Sequence, residues 1–144
     1  MWADTLLELE RGHLQRLLMW GAISIVTGTA MFAWLTWRRT AAPMLRHFAI
    51  QTAAWGAINT VIALRSMRTL TMRDFAGTQE LLNILWLNTG LDVGYAAVGA
   101  TLVIAGWRWG PRLGAIGAGV GVIVQGLALA VLDLRLIDAI GPLK

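Results

Sequence analysis

Four long apolar stretches run along the chain and are separated by short polar segments. Each is long enough, at ~1.5 Å per residue, to cross a hydrocarbon core of ~30 Å as a helix. The pattern predicts an all-α fold, a bundle of four transmembrane helices that forms a single integral membrane domain over residues 1–144. The predicted spans are about 17–37, 44–64, 86–106 and 113–134.

Two further segments are too polar to cross a membrane and too apolar to lie free in water. Residues 1–16 mix leucines with acids and arginines at a roughly helical spacing, which predicts an N-terminal amphipathic helix at the interface. A plain helical extension of the first span fits the same pattern. Residues 65–85 predict an interfacial segment between spans two and three, broken at Gly77, with Thr78 as the N-cap of the next helix.

The composition also indicates a membrane protein. Apolar residues make up 57% of the chain and charged residues 14%, whereas soluble domains carry roughly 25% charged residues. The absence of cysteine excludes thiol catalysis, disulfides and cysteine-ligated metal sites. The net charge of +4 comes mostly from arginines beside apolar stretches, so we expect no nucleic-acid partner.

Closely spaced glycines mark two of the predicted spans. Gly117 and Gly121 in span four, and Gly90 and Gly94 in span three, each have the GxxxG spacing. Helices in lipid associate through close backbone approach, which small residues permit. The spacing therefore predicts that spans three and four pack against each other through these four glycines.

Polar side chains recur inside the spans, where burial in lipid is costly unless the side chain is hydrogen-bonded or serves a function. Counting residues inward from one membrane surface, at ~1.5 Å each, brings groups from all four spans to a similar level. Within spans two and three these side chains share helix faces. The sequence therefore predicts an intramembrane polar cluster around Asp92. Its members are Ser24, Gln51, Asn59, Asn88, Asp92, Tyr95 and Gln125.

The cluster has two interpretations. Its members can hydrogen-bond across helices and fix the register of the bundle. Alternatively, they line a small site for a proton, a cation or a polar headgroup, with Asp92 providing the charge. No catalytic motif is present, and His13 and His47 lie towards opposite ends of the predicted bundle. We therefore expect no metal site, no cofactor and no enzymatic activity.

Three stretches of the predicted spans resemble a known family. The segments QTAAWGAIN, LNTGLDVGYAAVG and GVGVIVQGLALAVLD are similar to signature segments of a small family of four-helix bacterial membrane proteins of unknown function. The resemblance implies a multi-pass protein of the bacterial inner membrane. It singles out Gln51, Asn59, Asp92, Tyr95 and Gln125, and it carries no activity.

These observations favour a small non-enzymatic protein of the lipid bilayer with a structural or accessory role. Such a protein is expected to form a homo-oligomer or to join a larger membrane complex. The alternative is a small transporter, channel or lipid-binding protein that uses Asp92 as its intramembrane site. An enzyme acting on a lipid substrate is the least favoured hypothesis.

Overall fold

The computed structural model describes residues 2–143, and its four long helices confirm the predicted all-α class. The helices are α1 (Trp2–Trp37), α2 (Pro43–Arg68), α3 (Phe75–Arg108) and α4 (Leu113–Ile140), followed by a short 3-10 turn (Gly141–Leu143). The described part of the chain contains no strand. Below, the turn end of the bundle is the end with connections 38–42 and 109–112. The loop end is the end with connection 69–74.

The N-terminal segment is part of the first long helix. α1 is 36 residues long, or ~54 Å at ~1.5 Å per residue. The leucine side chain of Leu6 and the polar side chains of Glu10 and His13 are buried. The prediction of a separate interfacial helix is therefore wrong, and the extension of the first span is the form that the chain adopts.

Within the predicted interfacial segment 65–85, the break at Gly77 and the N-cap at Thr78 are wrong. α2 continues to Arg68 and α3 begins at Phe75. The N-cap of α3 is Asp74, whose side chain accepts a hydrogen bond of 2.8 Å from the backbone N–H of Gly77. Thr78 is therefore inside the helix, and Gly77 does not break it.

A leucine-rich cluster explains why α3 extends so far towards the loop end. The N-terminal turns of α3 pack against the first turns of α1 and the last turns of α4, because each presents apolar side chains there. Burial of these side chains stabilises helix where local composition suggested a surface segment. The cluster consists of Leu6, Leu81, Leu82, Leu85, Leu136 and Ile140.

The helices pack as two antiparallel pairs joined by α4. α1 lies along α2, and α3 lies along α4. α4 also contacts α2 and, to a smaller extent, α1, whereas α3 has no comparable contact with α1 or α2. α4 is thus the common neighbour of the other three helices.

Glycines let these backbones approach closely, but not all the predicted glycines take part. A Cβ added at Gly117 would collide with the backbone of Met44 in α2, and one at Gly121 would lie 2.8 Å from the Cβ of Gln51. Gly117 and Gly121 therefore face α2. A Cβ added at Gly90 or Gly94 would meet nothing within 4 Å.

The predicted packing of Gly90 and Gly94 against α4 is therefore wrong within one chain. α3 approaches α4 through Gly99 instead, where an added Cβ would lie 2.6 Å from the backbone oxygen of Gly119. At ~100° per residue, Gly90 and Gly94 point to the side of α3 away from Gly99. The spacing identified a helix–helix motif without identifying which face of the helix uses it.

Three of the four helices, α1, α3 and α4, are long and apolar enough to cross a membrane. Many large apolar side chains on their outer faces are exposed, among them Val26, Leu87 and Val131. Exposed apolar surface on this scale is typical of a molecule that contacts lipid or another protein. α2 is less apolar, because its polar residues include Arg46, Gln51 and Asn59.

Candidate functional site

A cleft of about 430 Å³ lies in the loop-end half of the bundle, where α2 and α3 do not pack against each other. Ile58 and Ile62 of α2 form one rim, and Ile84 and Leu91 of α3 form the other. Each of these four side chains is about half exposed, so the opening between α2 and α3 faces outward. We call this space the α2–α3 cleft.

The floor of the α2–α3 cleft is polar, and each helix contributes to it. His13 comes from α1, Asn59 from α2, Asp92 from α3 and Asp133 from α4. All four are buried, with Asn59 only 2% exposed and Asp92 only 6% exposed. The cleft therefore has apolar sides and a polar floor that solvent barely reaches.

The polar groups of the floor are incompletely satisfied. His13 Nε2 lies 3.4 Å from Asp133 Oδ1. The side-chain nitrogen Nδ2 of Asn59 is buried and has no hydrogen-bond partner. Among residues 2–143, the carboxylate of Asp92 accepts no hydrogen bond and pairs with no cation.

An ion pair stands at the loop end of the cleft. The guanidinium of Arg73, in the 69–74 connection, donates through Nε and Nη2 to the two carboxylate oxygens of Glu10, at 2.9 and 2.7 Å. These hydrogen bonds raise the pKa of Arg73. Both residues line the cleft, so the pair ties the connection to α1 beside the opening.

Two aromatic rings line the opposite end of the cleft. Trp55 of α2 and Tyr95 of α3 meet edge to face, with their ring centroids 5.1 Å apart. Both rings line the cleft. They provide a side-chain contact between α2 and α3.

A second polar group is separate from the cleft and satisfied. Trp20 Nε1 donates a 2.8 Å hydrogen bond to Gln125 Oε1, and Gln125 Nε2 donates a 3.2 Å bond to Ser24 Oγ. Gln125 is 1% exposed. These bonds join α1 to α4 and are of the kind that fixes helix register.

The predicted polar cluster is thus divided. Four of its seven members line the α2–α3 cleft. Two others belong to the hydrogen-bonded group of Trp20, Gln125 and Ser24, which we call the Gln125 network. The seventh, Gln51, is half-buried against Gly121 and belongs to neither. The cleft members are Asn59, Asn88, Asp92 and Tyr95, and the network members are Ser24 and Gln125.

Sequence reasoning missed four charged or titratable residues of the cleft, which are Glu10, His13, Arg73 and Asp133. Glu10 and His13 belong to the predicted N-terminal amphipathic helix, Arg73 to the predicted interfacial segment, and Asp133 to the last residues of predicted span four. Glu10 and His13 fall at helical spacing from Leu6, Leu14 and Leu17, all of which are buried. That shared face was the available signal that they point into the bundle.

The described residues contain no group of three or more His, Cys, Asp or Glu side chains positioned to hold a metal ion. The chemistry available in the cleft is therefore hydrogen bonding from an amide and a histidine, negative charge from two carboxylates, and contact with apolar walls. This combination suits one molecule with a polar end and an apolar body.

Comparison with known proteins adds one relationship. No curated protein and no solved structure matches the chain at a significant level. Residues 16–134 match the model of a family described as a family of unknown function, DUF6992. That range includes Asn59, Asp92 and Asp133, as well as the glycines that pack α4. Because the match spans most of the sequence, the chain belongs to the DUF6992 family.

Proposed function

We propose that the protein is an integral membrane protein of four spans that binds an amphipathic molecule in the α2–α3 cleft and catalyses no reaction. The observation that carries the proposal is the cleft itself, an outward-facing apolar opening above buried polar groups that lack partners. The resemblance at the level of sequence segments favours the bacterial inner membrane as its location.

Packing supports four spans rather than three. α2 lies along α1, and its backbone is in close contact with α1 where Gly56 meets Gly21. At the turn end it also meets α4, at Met44 and Gly117. A helix held this closely between two membrane-crossing helices crosses with them. Its polar residue Asn59 then faces the interior, where such side chains are tolerated.

The contrast between two polar groups favours binding over a purely structural role for the cleft. Structural polar groups in a membrane bundle satisfy one another, as Gln125 does with Trp20 and Ser24. Asn59 and Asp92 do not. The volume of about 430 Å³ falls within the ~300–1,000 Å³ that is usual for small-molecule sites.

The shape of the cleft favours binding over passage across the membrane. Trp55 and Tyr95 meet between α2 and α3 at the end of the cleft that faces the turn end, and beyond them glycine contacts bring α4 against α2 and α3. We therefore place a transporter or channel below a binding protein among the alternatives.

Narrowing the cleft tests the proposal. Leu129 of α4 lies in the cleft floor and is half-buried. Leu127, on the same helix, is 55% exposed on the outer face. The purified wild-type protein and its Leu129→Trp and Leu127→Trp variants are compared by native mass spectrometry for a retained amphiphile. We expect Leu129→Trp to lose at least about fivefold in occupancy, because the indole fills the site.

The wild-type protein and Leu127→Trp should keep equal occupancy, and thermal unfolding should show that all three proteins are folded. Equal occupancy in the three proteins, or no retained amphiphile in the wild type, would contradict the proposal.

A subunit role is the second candidate function. Gly90 and Gly94 lie on an exposed face of α3 with open space beside them, and two glycines at this spacing suit close approach by another helix. The partner is then a second copy of the chain or a helix of a larger membrane complex. The test is the native mass in detergent: association predicts a smaller particle for Gly90→Leu than for the wild type, and a monomeric wild type would contradict it.

A further inference from the structure

We infer that the ligand of the α2–α3 cleft is a single-chain amphipathic amine, with its ammonium group against Asp92 and its hydrocarbon chain between α2 and α3. This inference rests on the proposed binding function and specifies its ligand. It starts from the balance of charge and hydrogen bonding in the cleft.

Negative charge exceeds positive charge among the groups that face the cleft. α1 contributes Glu10 and His13, the 69–74 connection Arg73, α3 Asp92 and α4 Asp133, while α2 contributes no charged side chain to the lining. The charge of Glu10 is matched by the bidentate guanidinium of Arg73.

The pairings on the floor leave one carboxylate without a partner. Asp133 Oδ1 lies 3.4 Å from His13 Nε2, and the two carry opposite charges when His13 is protonated. Asp92 has no such partner among residues 2–143. A buried carboxylate is stabilised by a cation that also donates hydrogen bonds, and an ammonium group supplies both.

The unsatisfied amide of Asn59 adds a second requirement. Asn59 lines the cleft, is 2% exposed and has a free donor at Nδ2. An ammonium group has no lone pair to accept this hydrogen bond. An oxygen on the carbon next to the amine-bearing carbon would accept it, as in an ethanolamine group. The floor therefore matches an amine with a neighbouring oxygen.

Charge and size exclude the common alternatives. A carboxylate or phosphate end would bring a third like charge beside Asp92 and Asp133, where low polarity makes repulsion strong. A neutral end would leave Asp92 without a cation. The volume of about 430 Å³ is near the lower end of the ~300–1,000 Å³ range and suits one hydrocarbon chain better than the two chains of a phospholipid.

Binding of defined amphiphiles of equal chain length tests the inference. The protein is purified in a neutral detergent, and apparent Kd values come from thermal-shift titration with N-dodecylethanolamine, dodecylamine, dodecanol and dodecanoate. We expect the affinity order to follow that sequence, with no measurable binding of dodecanoate. Asp92→Asn should weaken binding of both amines by at least about tenfold and leave dodecanol unchanged.

Two further variants complete the design. Asp138→Asn removes the same charge from an exposed position on α4 and should leave all four affinities unchanged. Asn59→Leu should weaken N-dodecylethanolamine to the affinity of dodecylamine, because only the former has an oxygen to accept from Nδ2. This variant also provides the test if Asp92→Asn does not fold.

The outcomes separate the inference from the function on which it rests. Equal binding of dodecanol and the amines, unchanged by Asp92→Asn, would overturn the amine and leave an amphiphile site. Stabilisation by phosphatidylethanolamine in nanodiscs that matches N-dodecylethanolamine would overturn the single chain. Binding of none of the four amphiphiles, together with a negative result for Leu129→Trp, would overturn the proposed function itself.

Discussion

The two halves of the bundle are built on opposite principles. At the turn end, glycines bring α4 against α2 and α3, and an added Cβ at Gly117 or Gly99 would strike backbone atoms. At the loop end, α2 and α3 stand apart around a polar floor that includes Asp92. The first half is close-packed at its glycines, whereas the second has space and unsatisfied groups. Close backbone packing is therefore concentrated in the turn-end half, whereas the loop-end half is held by the leucine-rich cluster and carries the binding capacity.

This comparison predicts opposite responses to substitution in the two halves. Enlarging a side chain in the glycine-packed half should destabilise the fold. Removing polarity from the cleft should stabilise it, because function rather than folding requires that polarity.

The largest effect is expected for Gly117→Leu. It should lower the free energy of unfolding by about 3 kcal/mol or prevent folding, since overpacking costs ~1–3 kcal/mol even where side chains can shift and the obstacle here is the backbone of Met44. Gly90→Leu is the matched control, with open space beside it, and should change stability by less than about 0.5 kcal/mol. Thermal unfolding in detergent, followed by circular dichroism, measures both. Equal losses would show that the two glycines do not differ as described.

Asp92→Leu should raise stability in the absence of ligand. Insertion scales place the cost of an aspartate at a helix centre at ~2.5–3.5 kcal/mol, so we expect a gain of about 2 kcal/mol. Asp138→Leu, at an exposed position of α4, should have little effect. The same unfolding measurement applies, and a loss of stability in Asp92→Leu would show that its carboxylate supports the fold.

Gln125→Leu should lower stability by about 1 kcal/mol, because hydrogen bonds between membrane helices contribute ~0.6–2 kcal/mol and both Trp20 and Ser24 lose their partner. Gln51→Leu makes the same chemical change at a half-buried glutamine outside this network and should cost less. If Gln51→Leu is the more destabilising of the two, the Gln125 network does not hold α1 to α4.

Arg73→Lys should have the smallest effect, a loss of about 0.5 kcal/mol, since a partly exposed ion pair contributes ~0–1 kcal/mol and lysine cannot form the bidentate contact. Arg68→Lys, at an exposed position, should be neutral. The difference between the two should shrink in high salt. An unchanged difference would mean that the contact of Arg73 with Glu10 does not depend on charge attraction.

Much of the fold follows from the sequence because it depends on local pattern. The apolar stretches identified all four helices, and constant helical rise placed Asn59 and Asp92 at one level, as the cleft lining shows. The helix break at Gly77 and the N-cap at Thr78 were wrongly predicted because helix there depends on Leu81, Leu82 and Leu85 packing on distant leucines. Local composition carries no information about that contact.

The site was harder to predict than the helices. The division between the satisfied Gln125 and the unsatisfied Asn59 depends on distances of a few ångströms between helices. Residues at the same depth along their helices can still be close together or far apart, so depth alone does not determine such distances. Similarly, His13 joined the site only because α1 continues straight through residue 17 and keeps its buried face towards α4.

The central position of α4 has a consequence for how the molecule is assembled during synthesis. α1 and α2 form a hairpin that can pair as soon as both have left the ribosome, since they pack on each other. α3 emerges next, and the helix on which it mainly packs, α4, is synthesised only after it. A nascent chain stalled before Leu113 would therefore hold one completed hairpin and one helix that lacks its main packing partner, a natural substrate for chaperones and quality-control proteases.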